Sequence, residues 1–428
     1  MLRRLKVQGF KSLRSAEVTF PKLTVLFGPN AAGKSNVLDA IQLLSRLGTE
    51  RTLMDAFEDI RGYPVEAFSF PAGGLPQLLS PEFPKPELSL EVDIAARERY
   101  QYRLGISIDP RSGVLSVTDE HLCDLTPKFE PRPSARIEHS GDHLSIRRRG
   151  GGSPPRLEDL GKNYSMLSDT RFTAPSYAAW DHVREELNGW RAYYLDPRIA
   201  MRWSLPPQAV RDIGPLGEGI APFLYRLKAE HPKYFNGVRR TLSSIIPTVE
   251  DLSVDLDQRR GTLDITVKQG GIEFSSRVIS EGTLRVLALC AIAINPWNES
   301  LLAFEEPENG VHPRRLQLIA ELLYGLSTTQ NRQLVVTTHS LLFCDAMLRK
   351  ARESQKVRRS RAKGSKLASE PVPLVGLLHV KHDAGETKIT PFDVSGPLFQ
   401  DSELRLALTS GSEDGLFESL MLRGLIDE

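Results

Sequence analysis

Cysteine is scarce in this chain, with only Cys123, Cys290 and Cys344 among 428 residues. They are widely spaced and match no metal-ligand pattern. That excludes a disulfide framework or a cysteine-held metal and fits reduced thiols in a cytoplasm. Long apolar runs are also missing. The longest, around Val286 to Ile294, is too short to cross a bilayer, and Met1 to Lys6 carries charge without an apolar core of signal-peptide length. Net charge is close to zero at +1, so any basic surface must be local, and nothing drives the whole chain toward nucleic acid or a membrane. A cytoplasmic protein with no membrane partner is expected. What is present is ordinary: 40% hydrophobic and 25% charged residues, over a length that suits two or three structural units.

Against that background one stretch stands out. Gly28-Pro29-Asn30-Ala31-Ala32-Gly33-Lys34-Ser35 fits G-x-x-x-x-G-K-[ST], the loop that wraps the phosphates of a nucleoside triphosphate. The apolar run Leu23 to Phe27 before it reads as a buried strand. After it, Val37, Leu38, Ile41, Leu43, Leu44 and Leu47 recur at helical spacing, and the helix fades near Thr49. Gly28 and Gly33 permit backbone conformations that other residues resist and let N–H groups approach phosphate oxygens. The positive end of the helix faces the same anion. In such a loop Lys34 reaches the β- and γ-phosphates, and the Ser35 hydroxyl holds Mg²⁺.

The rest of the chain divides around this loop. Residues 1–86 form an N-terminal lobe, with half-exposed strands at Leu5 to Phe10 and Ala16 to Phe20 and an irregular, Pro-broken stretch from Arg51. Residues 87–261 form an insertion. Strands at Leu88 to Ile94, Tyr100 to Ile108 and Gly113 to Thr118 make a meander, and residues 127–160 read as a mobile loop with one strand at Leu144 to Arg147. The basic tip Arg147 to Arg149 there reads as a solvated loop, with a nucleic-acid contact as the alternative. Residues 175–245 are mostly helical by pattern, without the sustained heptads of a coiled-coil arm, and strands resume at Leu252, Leu263 and Ile272. Residues 262–428 form a C-terminal lobe with a basic linker over 349–366 and a leucine-spaced helical tail.

This last lobe supplies three further pieces. Leu301 to Phe304 is an apolar run followed by Glu305 and Glu306, a buried strand that delivers two acids at its C-terminal end, where open α/β sheets bind ligands. Glu305 is suited to hold Mg²⁺, and Glu306 to orient or deprotonate the attacking water. Leu334 to Thr338 is a second such strand, ending in His339, placed to contact the γ-phosphate. Ser280-Glu281-Gly282-Thr283 opens an apolar helix. A hydroxyl and a glycine at a helix start suit an anion, and Ser280 suits an ordinary cap equally well.

In this order the four pieces resemble the ABC-type ATPase heads of the RecF and SMC group. More narrowly, they resemble the stand-alone bacterial AAA family ATPases of OLD-type, PARIS and Septu antiphage systems. Gly28 to Asn36 looks like their Walker A, Gly9 to Leu13 like their opening strand, and Ser280 to Thr283 like a shortened signature. Leu301 to Glu306 with Glu308 to Pro313 looks like Walker B and the D-loop, and Thr338-His339-Ser340 like the switch histidine. The resemblance covers roughly residues 1–80 and 262–395. It implies an α/β P-loop fold, an ABC-ATPase head with a mixed sheet beside an antiparallel layer, interrupted by a β/helical insertion. It also implies ATP and Mg²⁺ as cofactors, and a second copy of the chain whose Ser280 and Gly282 clasp the γ-phosphate held by Lys34. The site set it implies is Gly28, Pro29, Asn30, Ala31, Ala32, Gly33, Lys34, Ser35, Asn36, Ser280 and Gly282 around the nucleotide. Ser35 and Glu305 would hold the metal, and Glu306, His339 and Lys34 would act in catalysis.

Two departures stand out: Glu305 replaces the usual aspartate, and the usual metal-coupling glutamine has only Gln77 as a candidate. The role implied is an ATPase that controls a separately encoded effector in antiphage defence, with a RecF-like DNA-repair ATPase as the alternative and nucleic acid left open as a partner. An OLD-like nuclease is disfavoured because no Toprim-type acid cluster follows the head. The basic run after Arg349 reads equally as a DNA-backbone contact or a connector.

Overall fold

The structure, a computed structural model, describes residues 1–80, 82–150, 154–297, 299–350 and 374–392. In chain order the first strands are β1 (Leu2–Phe10), β2 (Leu13–Thr19) and β3 (Leu23–Phe27), followed by α1 (Lys34–Leu47), α2 (Leu53–Glu58) and α3 (Gly74–Leu78). Next come β4 (Glu87–Ala95), β5 (Arg99–Ile108), β6 (Leu115–Leu125), β7 (Pro131–Ser140), β8 (His143–Ile146) and β9 (Arg156–Asp159). Then follow α4 (Ala178–Asn188), β10 (Trp190–Tyr193), α5 (Ile220–Glu230), α6 (Pro232–Ile245), β11 (Val249–Asp257), β12 (Thr262–Gln269) and β13 (Ile272–Ser275). The last are α7 (Glu281–Ile294), β14 (Leu301–Glu305), α8 (Leu316–Thr329), β15 (Gln333–Thr338), β16 (Val375–Asp383) and β17 (Glu386–Phe392). Three sheets result. One has eight strands in the order β2-β1-β4-β5-β6-β7-β8-β9, one has six in the order β10-β14-β15-β3-β16-β17, and one has the three strands β11-β12-β13. Within the six, β14, β15 and β3 run parallel.

The described residues fall into two compact units. The first takes Met1–Pro21, Gly28–Arg191 and Leu378–Pro391. Its eight strands are antiparallel throughout, and alternation buries one face: Leu5, Val7, Leu90, Val92, Tyr102 and Leu104 are all at most 1% exposed. The sheet corrects two expectations. Residues 127–160 are not a loop with one strand but carry β7, β8 and β9. The apolar residues their pairing buries are only Ala135, Ile137, Leu144 and Ile146, among many arginines and prolines, so the local pattern is faint. The stretch after Arg51 is not wholly irregular either. Thr52 and Asp55 form a reciprocal capping box that starts α2.

The second unit takes Lys22–Phe27, the described residues of the run Ala192–Leu377, and Phe392. Its core packs helices against the parallel strands. In α7, Leu284, Val286, Leu287, Ala288, Leu289, Cys290 and Ala291 are all buried, as a helix apolar on every side must be. Buried Arg332 donates to the carbonyls of Ile292 and Asn295 at 2.9 and 2.6 Å, satisfying acceptors that the end of α7 leaves open. The expected helical stretch 175–245 is helical at α4, α5 and α6 but not between Tyr194 and Gly219 apart from one short turn, Ala200–Arg202. Residues 341–350 are helical. The remainder of the basic linker and the leucine-spaced tail lie outside the described residues.

Candidate functional site

In the first unit, the loop Gly28–Ser35 leads into α1 with no side chain capping the helix start. Gly28 and Gly33 have φ of 152° and 97°, and Ala31 has 63°. A Cβ on Gly28 would collide with the Val380 carbonyl, and one on Gly33 with the Thr387 and Ser12 hydroxyls. Backbone strain and close packing therefore both demand glycine at these two positions. Lys34 Nζ donates to the carbonyls of Gly28 and Pro29 at 2.7 Å each, which holds its ammonium at the loop. Ser35 is half-buried, Pro29 is half-buried, and Asn30 and Ala31 edge the solvent, while Ala32 is buried. Asn36 donates its amide to Ser12 at 2.7 Å. Behind the loop, the Thr387 hydroxyl donates to Ala32 O at 2.9 Å and meets Ser12 Oγ at 2.6 Å. Buried Asp39, one turn into α1, binds Lys11 Nζ at 2.6 Å and Arg61 Nη2 at 2.9 Å. Thr387 had no signal in the sequence, since a single threonine on a distant strand carries none.

In the second unit, the parallel register sets Glu305 opposite Thr337 and Thr338 opposite Phe27. Three strands thus end together at their C-terminal edge, and the phosphate-loop sequence begins at the residue after Phe27. Glu306 has φ of +44°, the left-handed region that a side chain enters only under constraint. Its N–H donates to Thr337 O at 3.0 Å, and Arg285 Nη1 reaches its carbonyl at 3.4 Å. Its carboxylate lies 2.8 Å from His339 Nδ1 and accepts from Asn309 Nδ2 at 3.4 Å. The two side chains that the sequence assigned to catalysis on separate strands are therefore one hydrogen-bonded pair.

Around this pair lie groups that sequence reasoning missed. Glu308 is 5% exposed, accepts from the Thr338 hydroxyl, and its Oε2 is buried without a hydrogen-bond partner. Burial pushes its pKa up to about 7. Arg285 Nε and Thr337 Oγ1 are likewise buried without partners, and burial lowers the Arg285 pKa against the pull of Glu308 and Glu306. For Glu308 the sequence signal was its place at the head of the Glu308 to Pro313 stretch, which says nothing of its burial, and Arg285 and Thr337 carried none.

Ser280 caps α7: its Oγ accepts from Thr283 N at 3.2 Å and lies 2.8 Å from Thr283 Oγ1. It is nonetheless solvent-exposed. Gly282 abuts the D-loop so closely that a Cβ would collide with the Gly310 carbonyl. In the first unit, Gln77 sits exposed on α3, with Oε1 accepting from Gly73 N at 2.8 Å. Among the described residues no group of three or more His, Cys, Asp or Glu is arranged to hold a metal.

Residues 23–345 match the family described as "AAA domain, putative AbiEii toxin, Type IV TA system". A curated relative, the DNA replication and repair protein RecF of Synechococcus sp. (strain JA-2-3B'a(2-13)), is 45% identical over 56 residues, 13% of this chain. The chain thereby spans 14% of that relative's length. Among solved structures, an Smc head bound to the C-winged helix domain of ScpA is 14% identical, with a TM-score of 0.51, covering 92% of this chain and 98% of that one. A Pyrococcus furiosus Smc head with an extended coiled coil, bound to the C-terminal domain of ScpA, is 13% identical with a TM-score of 0.48, covering 94% and 99%. The first likeness is one of fold, the P-loop ABC-ATPase head with a mixed sheet and an antiparallel layer that the four motifs led one to expect.

Proposed function

We propose, from the premise that this chain belongs to that AAA-domain family and is an ABC-type ATPase of the RecF and SMC group, that it hydrolyses ATP to control a partner. Residues 28–36 would take the triphosphate, with Lys34 on the β- and γ-phosphates. Mg²⁺ prefers hard oxygen donors, and Ser35 and Glu305, with Gln77 as a third candidate, are of that type. Three protein oxygens at most leave much of an octahedral shell open, which phosphates and water would complete. When bound, the ion would neutralise charge on the transferring phosphoryl group. Glu306 would take the proton of the attacking water, and His339 would orient Glu306 and sense the γ-phosphate.

The observation that carries this reading is the Glu306–His339 pair, with Glu306 in a strained backbone conformation on the strand edge from which the phosphate loop departs. Glu306→Gln keeps the shape and removes the base. It should bind ATP normally and release phosphate at least about 100-fold more slowly. Turnover near the native rate in a phosphate-release assay would sink the assignment.

The further reading is a head-to-head dimer in the cytoplasm, in which exposed Ser280 and half-buried Gly282 of one copy meet the γ-phosphate held by the other. ATP would hold the dimer together and hydrolysis release it, switching a separately encoded effector, most naturally in antiphage defence. Among the described residues no helix is long and apolar enough to cross a membrane. The short RecF match supports a second reading, an ATPase that times release from DNA in repair. Salt-dependent binding of the isolated protein to duplex DNA separates the two: the repair reading requires it, and the effector reading does not.

A further inference from the structure

We propose that a groove on the eight-stranded sheet of the first unit binds the phosphodiester backbone of single-stranded nucleic acid. The groove arises where β7 pulls away from β6. The register slips twice: between Leu122 and Cys123 it skips Arg136, and between Cys123 and Leu125 it sets Arg132, Pro133 and Ser134 against Asp124 alone, so β7 is bulged here. The space this opens has a volume of about 490 Å³. Arg132 and Arg136 enter it from β7, and Arg147 and Arg148 from the end of β8. Asp124 is the one acid in the lining, giving four positive charges against one negative.

Asp124 is already engaged. Its Oδ2 accepts from Arg136 Nη2 at 2.7 Å and Nε at 3.1 Å, while its Oδ1 is buried without a partner. Arg148 Nε rests on the Tyr177 hydroxyl at 3.3 Å, and Arg147 reaches Glu138 at 3.4 Å on the exposed side. Three arginines therefore share a groove whose only acid is spoken for. Their mutual repulsion is relieved by an anion, and the planar guanidinium fork matches phosphate oxygens in pairs.

The shape selects among anions. A volume of this size takes one or two nucleotides and not a duplex. No aromatic ring lines it, so bases have nothing to stack on and the contact is to the backbone, independent of sequence. β7 is held between β6 and β8 and is not a sheet edge, and Pro131 and Pro133 remove two of its backbone donors, which opposes a peptide adding there as a further strand. ATP hydrolysis is not required for this contact, because none of the residues named belongs to the phosphate loop.

The test is fluorescence anisotropy of the full chain with a labelled 15-nucleotide oligo-dT. With three arginines engaged, affinity should fall by about 20-fold between 50 and 200 mM salt. The double variant Arg132→Glu/Arg148→Glu should bind at least about tenfold more weakly, with unchanged melting temperature and unchanged phosphate release. Lys34→Ala should bind the oligonucleotide as the native chain does, which separates failure of this site from failure of the nucleotide site. Equal affinity in the native chain and the double variant would overturn the proposal, as would no binding at low salt. So would polyglutamate competing as effectively as oligo-dT, since that would identify an acidic protein segment as the occupant. Rescue of binding by Arg132→Lys/Arg148→Lys to an intermediate level would support it.

Discussion

Glu306 and Glu308 are two carboxylates a proline apart, and their surroundings divide their work. Glu306 is partly exposed and bonded to His339 at 2.8 Å, as the water-activating role proposed for it requires. Glu308 is buried and binds only Thr338 through Oε1, and its pKa has risen from an ordinary 4.5 to about 7. The folded protein therefore keeps a proton on Glu308 that the unfolded chain releases between those two values. The stability this group lends is complete below pH 4.5 and is lost as pH climbs through 7. Glu308→Gln keeps an acceptor for Thr338 without that loss. The variant should gain on the native chain from pH 5 to pH 8, by as much as about 3 kcal/mol, in parallel urea titrations. A stability difference flat across that range would show that Glu308 is ionised in the folded state at both ends. Nothing in the order Glu305-Glu306-Pro307-Glu308 tells which acid is buried, because burial is decided by β15 and its Thr338.

Elements show the same division between local and distant causes. The phosphate loop and α1 were legible because glycine, lysine and the apolar spacing of α1 are local facts. What the sequence did not reveal is that β17 backs the loop, where Thr387 donates to Ala32 O at 2.9 Å. Thr387→Val keeps the volume and leaves both Ala32 O and the Ser12 hydroxyl short of a partner. ATP affinity should fall roughly five- to tenfold, about 1 kcal/mol, with maximal turnover little changed. An unchanged dissociation constant for a fluorescent ATP analogue would remove Thr387 from any part in shaping the loop. The strands β7, β8 and β9 went unread for a related reason. Their residues are mostly exposed, charged or proline, so they contribute little apolar alternation, and what makes them strands is the ladder offered by β6. In α2 the sign was present but small, a Thr52–Asp55 box among prolines and glycines.

For the molecule as a whole, the expected ATP response has two parts. Binding to the folded chain alone should stabilise it by about 2.7 kcal/mol at a concentration one hundred times the dissociation constant, read as a rise in melting temperature that Lys34→Ala abolishes. If Ser280 and Gly282 meet a second copy's nucleotide, Glu306→Gln should run as a dimer with ATP and as a monomer without it in light scattering. A monomer under both conditions would refute the head-to-head reading while leaving the single-site chemistry intact. The sequence by itself determined the phosphate loop, the acid-bearing strand, the histidine strand and the fold they imply, because each is a short run whose period and residue types carry its meaning. Only the tertiary structure decided that Glu306 and His339 are one bonded pair, that Glu308 is buried, that Thr387 stands behind the loop and that four arginines face one groove. Each of these joins residues from separate strands or from distant parts of the chain. They meet only because sheet register and packing bring them together, and neither is written in any local stretch.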